Sequence, residues 1–511
     1  MGKLKNILKV ALATIGSRIL GLVRDSCSMA YMSIGAVSSA YTFAFSVPNL
    51  FRRMLGEGAL SSAIVPIFSH SAKNKNLESA FDFLNKAVSR ALVWTLLITL
   101  VGAAAAAACT VLIDPEQTRY FLGAKYSLVL LLYMPLICLA AVFTAVLNVL
   151  DTFGVPSATP ILLNICIIAA LFCGVAVFGK SDLPNIALSM CFGWLAGGAL
   201  QAGVPAYCLA KKGWRFRFDL GKSDEIRELY ALFLPALLGA AVVQLNIFIS
   251  KLLAFNLNDS ATPALYISSR ILEFPLGVFG IAIATVYFPQ LAKLAAQKRS
   301  DDFRREYDEG LTASMAITIP ATFGIMALAR EILDVLFRWG LFGVKDVDIC
   351  LPVMLVSVAG LPFFAFTTYS TRGFHSNKDT KTPVKISYIS IAVNLILSVA
   401  LMFKFEAAGL AAANVAAAVF SAAALHIALK RRLATAPITK NIAKITAASA
   451  AMAAFCMAAK TLLGGVVDGK IFSLACCLIL VPAGAAVYAG SLKILKFEKL
   501  DQLKKLVRAR K

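Results

Sequence analysis

Twelve stretches of eighteen or more residues without Asp, Glu, Lys or Arg dominate this chain, at 26–51, 91–113, 126–150, 152–179, 183–210, 229–250, 274–292, 310–329, 349–371, 386–403, 407–429 and 471–492. A hydrocarbon layer about 30 Å thick takes roughly 20 apolar residues in helical form, since only a helix satisfies its own backbone polar groups away from water. The pattern predicts an all-α integral membrane protein. With 59% hydrophobic and 15% charged residues among 511, little length is left for a soluble catalytic module.

Two further spans complete the count. Residues 7–31 separate from the run that follows at a polar turn near Ser33 to Gly35, and 441–463 is apolar between Lys440, Lys444 and a Lys460 expected to snorkel. Fourteen transmembrane helices result. Lys3, Lys5 and Lys9 precede the first apolar stretch as in a signal peptide, but Arg18 interrupts it and no small-residue cleavage site follows, so it reads as a retained first helix.

The net charge of +22 could suggest nucleic acid, yet the bases alternate from loop to loop. The N-terminus, the even-numbered loops and the tail hold 35 Lys and Arg, the odd-numbered loops 10. This asymmetry predicts cytoplasmic termini and no nucleic-acid partner. Leu77, Phe81, Leu84 and Val88, and again Phe497, Leu500, Leu503 and Val507, recur at helical spacing among charges, and Arg304, Arg305 and Asp308 mark a more polar connector. All three are expected to be solvated or to lie among lipid headgroups, the basic tail holding anionic membrane lipids. Eleven scattered cysteines read as small buried hydrophobes, and His70, His375 and His426 lie too far apart in sequence to suggest a metal. No cofactor is called for.

Eight ionisable residues remain within spans: Arg18, Arg24, Asp25, Arg52, Arg53, Glu57, Arg270 and Glu273. Each costs about 2.5–3.5 kcal/mol at the bilayer centre, so five arginines facing lipid would cost on the order of 10 kcal/mol. They are expected to share a hydrated cavity. Arg53 with Glu57 and Arg270 with Glu273 stand one turn apart and can compensate each other. Five arginines against three acids leave two positive charges, which calls for an anion, and forked guanidinium groups suit a diphosphate. The alternative is buried ion pairs that only fix packing, with Arg53 and Glu57 the best case. Gly16, Gly21, Pro48, Gly56, Gly58 and Pro66, then Pro275, Gly277, Gly280 and Pro289, thin or break the same helices, with Gly21, Pro48, Gly58, Pro275 and Gly277 the candidate hinges. Interrupted helices at a midplane site are a transporter feature.

Gly58, Ala63 and Pro66 are echoed, one residue out of step, by Gly280, Ala284 and Pro289. With a basic connector after each, this divides the chain into two pseudo-symmetric six-helix lobes, 1–222 and 223–432, and a C-terminal helix pair with the tail, 433–511.

The segments GSRILGLVRD, VPNLFRRMLGEGALSSAIVPIF, SSRILEFPLGVFGIA and KTPVKI resemble those of the MurJ (MviN) lipid II flippases, and the similarity extends over essentially the whole chain. The resemblance implies a two-lobed carrier of the multidrug/oligosaccharidyl-lipid/polysaccharide exporter type, in the bacterial inner membrane, that turns lipid-linked peptidoglycan precursor to the outer leaflet in cell-wall synthesis, with cell-wall synthesis proteins as possible partners. By position, Arg18, Arg24, Arg52 and Arg270 match arginines facing the diphosphate and sugar, and Asp25, Asn49, Glu57 and Glu273 the polar groups around them. The last two helices would shelter the polyprenyl tail. The chain departs from the family at Ser39 and Ser269, where Asp is frequent, and at Ser46, where Lys is. Some relatives are thought to bind sodium through carboxylates of the second lobe, but the seventh and the ninth to twelfth spans offer none, so the membrane potential is the expected driving force. Three readings remain beside this one. Another polyprenyl-diphosphate oligosaccharide, of O-antigen or capsule type, differs only in the sugar. A cation exporter would need buried acids in a cavity that is net positive. A prenyl-phosphate enzyme would have only Asp301 and Asp302 for a metal.

Overall fold

The computed structural model describes residues 2–277, 281–433, 439–464 and 469–497, without the side chains of 56–58 and of a few other stretches. Among the described residues 89% are helical and no strand occurs. Contacts divide it into two compact units, Met1–Pro263 with Trp339–Phe342, and Ala264–Arg338 with Gly343–Lys511.

The first unit holds α1 (Gly2–Met32), α2 (Ala36–Phe51), a π-helical stretch (Arg52–Leu60), α3 (Ser61–Asn74), α4 (Leu77–Leu112), α5 (Thr118–Leu131), α6 (Tyr133–Val149), α7 (Gly154–Phe178), α8 (Leu183–Lys211) and α9 (Asp224–Leu257). Helix α10 (Ala261–Pro275) begins at its edge. Local chemistry sets these limits. Asn76, Asp182 and Ser223 cap α4, α8 and α9 by accepting from the backbone N–H three residues on. Ser33, at φ 52, and Gly35 part α1 from α2 at the turn read from the sequence.

The second unit holds α11 (Ile281–Ala296), α12 (Ser300–Ala327), α13 (Ala329–Phe337), α14 (Val344–Ala359), α15 (Leu361–Ser376), α16 (Lys381–Leu433), α17 (Thr439–Gly464), α18 (Gly469–Ala475), a second π stretch (Cys476–Leu480) and α19 (Val481–Ile494). At 53 residues α16 would run about 80 Å if straight, far beyond a bilayer, and it turns at Glu406, whose φ is 49. Among the described residues ten stretches are long and apolar enough to cross a membrane, and the chain is a multi-pass helical membrane protein. The helices that fall short are the interrupted or charged ones, α1, α2 with α3, and α10 with α11, together with the nine-residue α13.

Small residues bring α7 and α8 together. In the sequence GWLAG, a Cβ added at Gly193 would stand 2.9 Å from Cys166 O, and one at Gly197 2.9 Å from Leu163 Cα. This is the close backbone approach that glycine four residues apart permits in membrane helices. Gly197→Leu is expected to force the pair apart and to lower stability by about 1–3 kcal/mol. A thermal unfolding midpoint in detergent equal to that of the parent would refute the packing role.

Three sequence expectations need correction. Phe81, Leu84 and Val88 do not lie among headgroups: they are buried against Phe68, Phe143 and Trp214 in the first unit's core, within one helix that runs on into the span. Arg304, Arg305 and Asp308 lie on α12 itself rather than on a separate connector, Arg305 exposed and Arg304 and Asp308 half-buried, while Phe303 and Tyr307 beside them pack in the second unit's core. Protein surface competes with lipid for an amphipathic stripe, and a periodicity cannot tell which wins. Lys460 does not snorkel; its Nζ is 2.7 Å from Glu331 Oε1. Of the tail stripe, Phe497 is buried, and Leu500, Leu503 and Val507 lie outside the described residues. The cysteines form no disulfide, and Cys109 and Cys173 are exposed on apolar helices rather than buried.

Candidate substrate-binding site

In the first unit the site is built on α1. Helix α1 runs unbroken through Gly16 and Gly21, so the interruption expected there does not occur; at Gly21 the missing side chain faces Asn164 of α7, which would lie 3.7 Å from a Cβ. The Asn164 amide donates to Ser17 O at 3.2 Å and its oxygen accepts from Arg24 Nη1 at 3.1 Å. Arg24, 5% exposed, also donates through Nε and Nη2 to Asp25 Oδ1, at 2.9 and 2.6 Å. Its guanidinium carbon stands 5.3 Å from the Trp194 ring centre, and the Trp194 indole N–H donates to Tyr41 Oη at 2.8 Å. Burial alone would make such a cation costly; carboxylate, amide and ring together offset it.

Arg18 stands seven residues before Asp25, hence on the same face of α1, and is half-buried with no hydrogen-bond or ion-pair partner among the described residues.

Helix α2 supplies the second group. Pro48 lies inside it, and the Arg52 N–H donates to Asn49 O and Pro48 O where the wider π winding begins. A nine-residue π stretch is rare, and such distortions mark functional sites. Arg52 is half-buried and Arg53 exposed, while the segment packs against α6 and α9. The Asn49 amide turns back onto Phe45 O at 3.1 Å. The Glu57 side chain is not among those described, so its pairing with Arg53 is not either, while the candidate hinge Gly58 lies within the π stretch.

Of the positions read from the sequence as departures, Ser39 is fully buried with no hydrogen-bond partner for its hydroxyl among the described residues, and Ser46 Oγ donates to Phe43 O at 2.7 Å. Neutral serines tolerate this burial; a charge in either place would require a partner.

The second unit presents Arg270 on α10. Its Nε and Nη2 donate to Tyr266 Oη at 3.0 and 2.8 Å, and Nη1 lies 3.1 Å from Glu273 Oε2. Ser269 Oγ donates to Tyr266 O at 2.8 Å. Pro275 ends α10 and Leu276 and Gly277 turn in a wider, π-type winding, so both candidate hinges lie at an interruption; Gly280 lies outside the described residues. The structure therefore brings Arg18, Arg24 and Asp25 onto one helix of the first unit, Asn49 and Arg52 onto the next, and Arg270 with Glu273 onto α10 of the second.

Sequence reasoning missed Asn164, Trp194, Tyr41 and Tyr266. Asn164 was detectable as a lone amide in a long uncharged run, and Tyr266 as the residue one turn before Arg270. It also missed two acids counted as loop residues. Glu331 and Asp334 are 2% and 5% exposed on α13; Asp334 Oδ2 accepts from Ser473 Oγ at 3.0 Å and lies 3.1 Å from Arg338 Nη1. Among the described residues no group of three or more His, Cys, Asp and Glu is placed to hold a metal.

Solved structures place the architecture. The chain overlays an inward-facing multidrug resistance MATE family transporter of the MOP superfamily with a TM-score of 0.65 over 84% of its length and 98% of the other, at 13% identity, which speaks for the fold alone. A lipid II flippase MurJ in an inward closed conformation overlays with a TM-score of 0.80, 25% identical, covering 96% of this chain and 99% of that one. Fold and interrupted, arginine-bearing helices define a multi-pass helical membrane protein with the architecture of these transporters. The profile of the family described as lipid II flippase MurJ matches residues 29–481, and the chain belongs to that family. Among similar proteins, probable lipid II flippases MurJ of Vibrio cholerae and Haemophilus influenzae are 32% and 31% identical over 83% and 82% of this chain and 82% and 84% of their own. One from Thermotoga maritima is 28% identical over 98% of this chain and 99% of its own.

Proposed function

We propose that this protein is a transporter that moves lipid II, the undecaprenyl-diphosphate-linked peptidoglycan precursor, from the cytoplasmic to the outer leaflet of the bacterial inner membrane by alternating access. The observation that carries this is membership of the MurJ family across residues 29–481, in a chain whose uncompensated charge within spans is arginine. Arg18, Arg24, Arg52 and Arg270 engage the diphosphate, and Asp25, Asn49, Glu57 and Glu273 orient them. Arg24 and Arg270 are already oriented, by Asp25 with Asn164 and by Tyr266 with Glu273. Pro48, Gly58, Pro275 and Gly277 give the interrupted helices room to move.

The chain crosses the membrane fourteen times in this reading. The ten candidate stretches, with the two halves of α16 counted separately and with α1, α2 with α3, and α10 with α11 added, support that number. The loop charges support cytoplasmic termini, and the sequence echo supports lobes at 1–222 and 223–432 with a helix pair at 433–511 sheltering the prenyl tail. Anionic lipid is the proposed partner of the basic tail.

Two negative charges on the substrate neutralise the two positive charges of the site, so the potential acts on the empty carrier: drawing a site of charge two back toward a negative interior releases about 4–5 kcal/mol per 100 mV and drives the cycle outward for substrate. Expression of this chain should rescue growth of a bacterium depleted of its own lipid II flippase, and an uncoupler should stop outward appearance of lipid II while removal of sodium should not. Failure of rescue with the protein present in the membrane argues against the substrate; transport that survives the uncoupler but stops without sodium argues against the driving force.

A further inference from the structure

The segment between α8 and α9, residues 212–223, forms no helix beyond its opening turn, yet it is held in place with unusual thoroughness. Three residues of α4 do this. Asn85 donates to Arg215 O at 3.1 Å and accepts from Trp214 Nε1 at 2.9 Å and Arg217 N at 3.3 Å. Ser89 Oγ accepts from Asp219 N at 3.0 Å, and Arg90 Nη2 donates to Leu220 O and Gly221 O at 2.8 and 2.9 Å. Trp214, 5% exposed, anchors the segment in the core beside Phe143, and past its far end Lys75 Nζ meets Glu225 Oε1 at 2.6 Å.

This fixed ribbon shows apolar groups outward. Phe216, Phe218 and Leu220 are 51%, 56% and 49% exposed, interleaved with exposed Arg215 and Arg217 and flanked by exposed Lys211, Lys212 and Lys222. The single acid, Asp219, accepts from Gly221 N at 2.6 Å. Tyr207, 61% exposed at the end of α8 with the Lys211 ammonium 4.7 Å from its ring centre, continues the band. Phenylalanine in water is unfavourable by its apolar area, and five bases in a dozen residues repel one another. Both costs vanish at the boundary of an anionic bilayer, where rings sit at headgroup depth and bases meet phosphates. Charge and apolar exposure on the same fixed ribbon favour a lipid surface over an acidic protein, which would not call for contiguity with the exposed end of a membrane helix.

We propose that residues 211–222 form a preorganised binding site for anionic phospholipid headgroups, with Arg215 and Arg217 on phosphate, Phe216, Phe218 and Leu220 at the acyl boundary, and Asn85, Ser89 and Arg90 as its frame. The site is separate from the arginines assigned to the carried lipid and does not depend on what is carried.

The test uses the full-length protein in neutral detergent, with phosphatidylglycerol or phosphatidylcholine titrated into the micelles and thermal unfolding followed. Phosphatidylglycerol should raise the midpoint and phosphatidylcholine should not. Arg215→Ala with Arg217→Ala should require about thirtyfold more phosphatidylglycerol for the same rise, at roughly 1 kcal/mol per base. Phe216→Ser with Phe218→Ser should reduce the rise at every concentration. Raising salt to about 0.5 M should erase the parent's preference, because screening then acts within a few ångströms. An arginine variant with the parent's response, or a parent indifferent to headgroup charge, overturns the proposal.

Discussion

Asp25→Ala is expected to lower stability by about 3–5 kcal/mol, the usual cost of leaving a buried ion without its partner. Arg24 and Asp25 have side chains only 7% and 5% exposed, so water cannot replace the lost carboxylate, which accepts from both Nε and Nη2 of Arg24. The reading is a fall in the thermal midpoint of purified protein together with reduced yield in the membrane. Asp25→Asn should cost less, since an amide oxygen still accepts one bond. The double variant Arg24→Met with Asp25→Leu should be more stable than Asp25→Ala alone, because apolar replacement of a whole buried pair removes desolvation along with attraction. A midpoint for Asp25→Ala within about 0.5 kcal/mol of the parent, the range of ordinary surface changes, would show the pair to be unimportant to the fold.

Arg18→Ala should have the opposite profile, with a near-parental unfolding midpoint and lipid II transfer lowered by on the order of 10²-fold or more, the penalty for truncating one partner of a charge-assisted contact. The reason lies in its surroundings: Arg18 is half-buried on the Asp25 face of α1 and has no protein partner among the described residues whose loss would disturb packing. Arg270→Ala should reduce transfer similarly, with a modest stability cost from the ties to Tyr266 and Glu273. Arg18→Lys distinguishes grip from charge. A lysine restores the point charge but not the fork, so partial recovery supports bidentate contact. Full transfer by both alanine variants, at equal protein levels, would remove the arginines from the transport step.

Much of this molecule is written along the chain. Apolar runs mark where helices must lie, because a membrane leaves the backbone no other way to satisfy itself. The turn at Ser33 to Gly35 and the breaks after Phe51 and Pro275 follow from local residues that cannot continue an α-helix without a distortion. The concentration of arginine on α1, on the π stretch and on α10 is equally visible, since charge is costly within a span and therefore conspicuous.

What side chains do with their neighbours was not visible. The Leu77 to Val88 stripe has the period of a membrane-surface helix, but its fate depends on Phe68, Phe143 and Trp214 arriving from elsewhere in the chain to cover it. Asn164 reaches Arg24 from 140 residues away, and Glu331 reaches Lys460 across a similar gap. Spacing reports which groups share a face of one helix and nothing about the helix opposite.

Sequence by itself determined the solvent, the helical class and the family, because burying a backbone in hydrocarbon is a one-dimensional constraint that every run must obey alone. The partner of each buried charge was decided only by tertiary structure. Arg24 is tied to Asp25 and Asn164 while Arg18, on the same helix, has no hydrogen-bond or ion-pair partner among the described residues, and that difference depends on which helix packs against which face.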